Sequence, residues 1–333
     1  MIKDVAILTA VLAALTSLAV AFVNYFGSRR TQKEVESLRA ELAERKSEKD
    51  ARRDYEYEAR KRLYQECEPL LFQLCELSEN ALNRIYGLAR SARTGNLDPP
   101  DNWLDGPGYY MASTIYNLLA PVAVFKLMQR RLTFVDLTVE PRIKAQYNLA
   151  KHIAVSFTDD FDIAALHPPI EYDPTTPASR ELREKNPAQF WRQGLPVGRL
   201  DTAAEGLIML EPSGVSRLRS FGEFESEYYN EATASPKGFD LITDILTCFH
   251  PRTRPVLWRM LIAQACIYEI LLETSRGSPA ETTAGSVQPI PQNQRTKFDW
   301  RQTPTETTDE QVLVEPFSVS EEYLRRYLHR FEV

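Results

Sequence analysis

The chain has 333 residues, 43% of them hydrophobic and 26% charged, with a formal net charge of -6 and a pI near 5.5. That length can bury a sizeable core in one large domain or two small ones, and the acidic balance argues against a general nucleic-acid binder, whose footprint is basic. The four cysteines lack the close spacing of a small secreted disulfide framework.

Val5 to Phe26 is an uncharged apolar run (VAILTAVLAALTSLAVAFVNYF), followed at once by Gly27-Ser28-Arg29-Arg30. About 22 residues at 1.5 Å each give roughly 33 Å of helix, enough to cross about 30 Å of hydrocarbon. The expectation is a single transmembrane anchor over 5–26. A secretory signal cleaved after Ala21 is the competing reading, because Ala19-Val20-Ala21 has a small-x-small pattern. Against cleavage, the run continues through Phe22, Val23, Tyr25 and Phe26 into basic residues, and Lys3 is offset by Asp4. Arg29, Arg30 and Lys33 resist translocation. They predict a single-pass protein of the cell membrane, its N terminus outside and the bulk of the chain cytoplasmic. The same three residues are candidates for contact with anionic lipid headgroups.

Residues 27–60 read as a charged helical stalk. Val35, Leu38 and Leu42 make a short coiled-coil seam in KEVESLRAELAERKSEK. Projected backwards in steps of four and three, the seam meets Thr31, Ser28, Asn24, Ala21, Ser17, Ala14 and Ala10. Small residues let helices approach closely in lipid, and Asn24 can hydrogen-bond a twin. A homo-oligomer through this helix is therefore expected. A monomeric anchor with a charged spacer is the alternative, since Arg45, Lys49 and Arg52 occupy the later seam positions.

Residues 61–274 read as an α-helical, bundle-like cytoplasmic domain. From Leu63, apolar residues at Cys67, Leu70, Leu74, Leu77, Ala81, Ile85 and Leu88 keep helical spacing, widened by Leu71, Phe72 and Leu82. Pro69 predicts a kink or a fresh start. Gly95–Gly108 is a loop. Further helices are predicted at Tyr109–Gln129, with a break or kink at Pro121, and at Pro141 to about Leu166, Ser213–Ala232, Pro236–His250 and Arg254–Thr274. The last carries Arg259, Gln264 and Glu269, so it reads as a core helix rather than a second span. Leu132–Val139 is the best strand candidate, and His167–Leu200 reads as a surface excursion rich in proline and charge. Residues 275–316 read as a flexible linker and 317–333 as a C-terminal helix, opened by a capping box at Ser318-Val319-Ser320-Glu321. The fold class is mainly α.

Catalytic signatures are missing: no glycine-rich dinucleotide turn, no phosphate loop, no G-x-S-x-G, H-E-x-x-H or C-x-x-C. Cys67 and Cys75 sit about 12 Å apart on one helix, too far to share a metal or a disulfide. The nearest approach to a catalytic site is His152 with Asp159, Asp160 and Asp162, since hard cations prefer oxygen ligands. The competing reading makes these acids solvated or capping groups. His167, Glu171 and Asp173 are weaker candidates. His250 and His329 read as residues complementing helix C-termini. Arg130, Arg131, Arg142, Arg252 and Arg254 match phosphate geometry if they converge, with salt bridges as the default. Tyr109-Tyr110 and Tyr228-Tyr229 can line a groove or pack half-buried.

No cofactor or metal is expected. The leading reading is a membrane-anchored interaction, scaffold or sensor protein, with an unknown protein partner and no nucleic acid. An enzyme or ligand-gated effector on an unfamiliar helical fold is the first alternative. A membrane-perturbing oligomeric effector is the second.

Overall fold

The computed structural model describes residues 2–132, 136–160, 162–163, 193–229, 238–275, 290, 292–301 and 309–328. The protein is mainly α, with one two-stranded sheet among the described residues. It divides into two compact units, Met1–Lys61 and Arg62–Val333.

The first unit is the leading part of helix α1 (Ile2–Arg93). Nearly every described side chain in it is exposed, including Leu12, Leu15, Leu18, Phe22 and Val23. After the apolar run, the helix carries pairs one turn apart: Arg30–Glu34 at 3.3 Å, Glu41–Arg45 at 2.7 Å and Arg52–Glu56 at 3.1 Å. Such exposed pairs are each worth a few tenths of a kcal/mol.

In the second unit the remaining turns of α1 bury Leu63, Cys67, Leu70, Leu74, Ala81, Ile85 and Leu88 of the predicted stripe, while Leu77 is half-buried. The helix runs on through Pro69. The Gln65 carbonyl that loses its partner there belongs to an exposed residue, where water can replace the missing donor. Phe72 departs from the prediction: it is 70% exposed. Nine residues at 100° each set it on the side of α1 opposite Leu63.

Helix α2 (Tyr109–Arg131) is central and almost wholly buried, and it too continues through its proline, Pro121. It packs on α3 (Pro141–Ser156), α4 (Val197–Gly206), α5 (Phe221–Tyr228) and α6 (Asp240–Leu246). Helix α7 (Pro255–Ser275) packs on α3 and on the last helix, α9 (Asp309–Leu328). The short α8 (Gln292–Arg295) precedes it. The most apolar window of α2 is 89% buried and that of α7 is 94% buried. The charged interruptions in α7 thus mark a core helix.

Several predicted boundaries are corrected. The predicted helix Ser213–Ala232 begins only at Phe221, under a capping box of Ser220 and Glu223. Ahead of it, β1 (Ile208–Leu210) pairs antiparallel with β2 (Ser216–Leu218), Ile208 opposite Leu218. The turn needs Gly214, whose φ is +82°, and its amide donates to the Glu211 carbonyl at 2.9 Å. Helix α3 stops at Ser156, short of Leu166, because the Ser156 and Thr158 hydroxyls donate to the Ile153 and Val155 carbonyls and compete with the ladder. Helix α6 ends at Leu246. Cys248, inside the predicted helix Pro236–His250, instead lies exposed beyond it with φ +53°. Of the strand candidate 132–139, residues 133–135 lie outside the described residues, Leu132 caps α2, and Leu137–Val139 is a 3-10 turn capped by Asp136.

The predicted linker also differs where it is described. Ile290, Phe298 and Trp300 are buried, and Phe298 packs on Phe317 and Tyr86 with ring centroids 5.4 and 4.5 Å apart. Because α9 begins at Asp309, Ser318–Glu321 is helix interior and caps nothing. Glu321 instead pairs with Arg295 at 2.9 Å, tying α8 to α9.

Candidate functional site

A groove of about 340 Å³ opens between α1, α3 and the end of α7. That volume lies at the lower end of the range for ligand-sized clefts, about 300–1,000 Å³. Its floor holds Leu71, Ile143 and Leu272, all buried. Its α1 wall is built on four-residue spacing. Tyr64, Glu68, Phe72 and Glu76 form one row, aromatic alternating with acid, and Cys75 and Glu79 continue the row beside it. The α3 wall supplies Arg142 and Gln146, again four apart.

Two features mark this groove as more than a surface dent. Three carboxylates (Glu68, Glu76, Glu79) face one cation, Arg142, and none of the four pairs with another described residue. Gln146 is only 4% exposed, yet its amide makes no hydrogen bond to another described residue. Gln146 lines the groove, so an incoming polar group can meet its amide. At the rim, the Tyr64 hydroxyl donates to Glu140 Oε2 at 3.1 Å.

The four residues weighed for catalysis have separate surroundings. His152 is fully buried in α3, and burial, helped by the Lys151 charge, holds its imidazole down at about 4. Asp159 Oδ2 accepts from the Tyr323 hydroxyl of α9 at 2.8 Å. Asp160 is buried and accepts from the Gly194 amide at 3.1 Å, while Asp162 is exposed. Among the described residues, no group of three or more His, Cys, Asp or Glu is placed to hold a metal ion. His167, Glu171, Asp173 and His329 lie outside the described residues.

Three of the arginines have separate partners. Arg130 pairs with Glu205 and Arg131 with Glu66, while Arg252 lies over the Trp300 ring. His250 follows α6 in a turn instead of ending a helix. Its Nδ1 accepts from the Arg252 amide at 3.0 Å, and its ring meets Trp300 edge-on. Burial lowers its pKa to about 4 against the raising effect of Asp98. Tyr109 and Tyr110 are exposed beside Trp103, over which the half-buried Arg84 guanidinium sits at 5.9 Å.

In the N-terminal unit, Ala10, Ala14, Ser17, Ala21, Asn24, Val35, Leu38 and Leu42 are all exposed, as are Arg29, Arg30 and Lys33. The Arg29 guanidinium lies over the Tyr25 ring at 5.4 Å. Sequence reasoning missed the groove because Phe72 was grouped with the apolar core face. The available signal was the row Tyr64–Glu68–Phe72–Glu76, which runs off the Leu63–Cys67–Leu70–Leu74 stripe. Compared with known proteins, the chain matches no family model, no curated protein and no solved structure.

Proposed function

We propose that the protein is a membrane-anchored interaction protein, in which the N-terminal helix spans the bilayer and holds a groove-bearing helical domain at the cytoplasmic face. The observation that carries this reading is burial. The apolar window near the N terminus has a mean hydropathy of 2.1 and none of it is buried, whereas the two other long apolar helices lie in the core. Soluble monomers rarely leave contiguous apolar patches beyond a few hundred Å² in water. Lipid is the solvent that accepts such a surface. The polar groups in the run suit that solvent: the Thr16 hydroxyl donates to the Leu12 and Ala13 carbonyls at 2.9 and 3.0 Å. Arg29, Arg30 and Lys33 after the run support the cytoplasmic orientation and contact with anionic headgroups. The exposed stripe from Ala10 through Asn24 to Leu42 supports self-association of this helix.

Extraction of membranes at alkaline pH tests the anchor. The wild-type chain is expected to stay in the pellet. Leu12→Arg/Leu15→Arg is expected to move to the supernatant, since each arginine at a helix centre costs about 2.5–3.5 kcal/mol of insertion. Release of the wild-type chain, or a mature form that begins near Phe22, overturns the reading.

A further inference from the structure

We propose that the groove between α1, α3 and α7 docks an amphipathic helix of a partner protein, one whose contact face alternates Lys or Arg with Leu-sized side chains at four-residue spacing. The inference deepens the interaction reading and rests on it. Residues four apart on a helix form a ridge, and the ridges of a second helix interdigitate with it at about 8–10 Å between axes. From Tyr64 to Glu79 the wall extends roughly 23 Å, the length of about four turns of a partner.

Charge selects the partner's sign. Glu68, Glu76 and Glu79 outnumber Arg142 along the groove, so an incoming basic face is complementary and an acidic one is repelled. A single metal ion does not suit this spread, because Glu68 and Glu76 are separated by about 12 Å along α1. Phe72 stands between those two glutamates on the same row, 70% exposed. A helix that sets an aliphatic side chain against the Phe72 ring therefore brings its residues one turn either way to the carboxylates. Aromatic anchors of this kind carry most of an interface's energy. Gln146 adds a register mark: lining the groove, its amide offers a donor and an acceptor to one polar side chain on the partner.

The test uses the full chain in zwitterionic phosphatidylcholine nanodiscs, titrated with a labelled 16-residue helical peptide. One face of the peptide reads Lys, Leu, Lys, Leu at four-residue intervals, and it carries a photo-crosslinker. Saturable binding above empty discs is expected, with crosslinks on residues 64–79 of α1 and 142–146 of α3. Phe72→Ala is expected to weaken binding about tenfold. Glu68→Gln/Glu76→Gln is expected to weaken it about fivefold and to flatten its salt dependence. All three side chains are exposed, so the variants should keep the wild-type circular dichroism. Equal affinity for Phe72→Ala, equal binding of a Glu-for-Lys peptide, or crosslinks elsewhere overturns the proposal. A chain that resists alkaline extraction but ignores the peptide sinks the docking inference alone. A chain that binds the peptide but is released at alkaline pH sinks the anchor alone.

Discussion

Trp258→Ala is expected to lower the unfolding free energy by about 3–5 kcal/mol, a large share of the 5–15 kcal/mol that holds a typical domain together. Trp258 lies in the first turns of α7 and is among the largest fully buried side chains. Its neighbours on the helix, Leu257, Met260, Leu261 and Ile262, are equally enclosed, so the surroundings have little freedom to collapse into the space left. The loss combines the transfer free energy of the indole with the cost of the cavity. Urea titration of the detergent-solubilised chain, followed by near-ultraviolet circular dichroism, measures it. A change below about 1 kcal/mol would be inconsistent with α7 as a core helix, and would revive its reading as a second membrane span.

Acid should destabilise the second unit before the carboxylates titrate. His152 and His250 are buried, and both have their pKa lowered from 6.5 to about 4, chiefly by burial. The unfolded chain therefore binds these protons first. Their contribution is whole above about pH 6.5 and is lost progressively as pH falls towards 4. A lowering from 6.5 to about 4 corresponds to about 3 kcal/mol for each histidine, an upper figure. Lower still, protonation of Glu223, held down at about 2 by its hydrogen bonds to Arg217 and Ser220, works in the same direction. Urea midpoints between pH 7.5 and 4.5 test this. His250→Asn retains an acceptor for the Arg252 amide but cannot titrate, so its profile should be roughly half as steep as the wild type's. An unchanged slope contradicts the assignment to His250.

The readable parts of this fold are those where one physical signal dominates. The stripe from Leu63 to Leu88 and the apolar runs of α2 and α7 declare helices by periodicity, and burial bears that out. The charges of α7 also told a core helix from a span, because a core can pair or cover an arginine that lipid cannot. Elsewhere two signals compete. Around Ser213 the helical spacing was outweighed by Pro212, Ser213 and Gly214, which make a hairpin turn. Ser318-Val319-Ser320-Glu321 has the letters of a capping box, yet α9 starts upstream and Glu321 serves Arg295 instead. The groove was hidden for a third reason. Its residues come from three helices distant in the chain, and Phe72 counts as core in any tally of apolar residues. Only its angle on α1 sets it apart.

The proposed groove and the proposed anchor make separate physical demands. The anchor needs an uncovered apolar helix, and none of the apolar window in the first unit is buried among the described residues. Recognition needs polar and aromatic groups left without partners on a stable scaffold. Among the described residues, Gln146, Phe72 and the three glutamates meet that need in the second unit.

Protease accessibility in sealed vesicles of both orientations, with a tag at the C terminus, tests the central claim most directly. Inside-out vesicles should lose the tag at once, and right-side-out vesicles should protect it until they are opened with detergent. Loss of the tag from intact right-side-out vesicles, or recovery of the tagged chain outside the vesicle fraction, would contradict a helix that crosses the bilayer with the bulk of the chain in the cytoplasm.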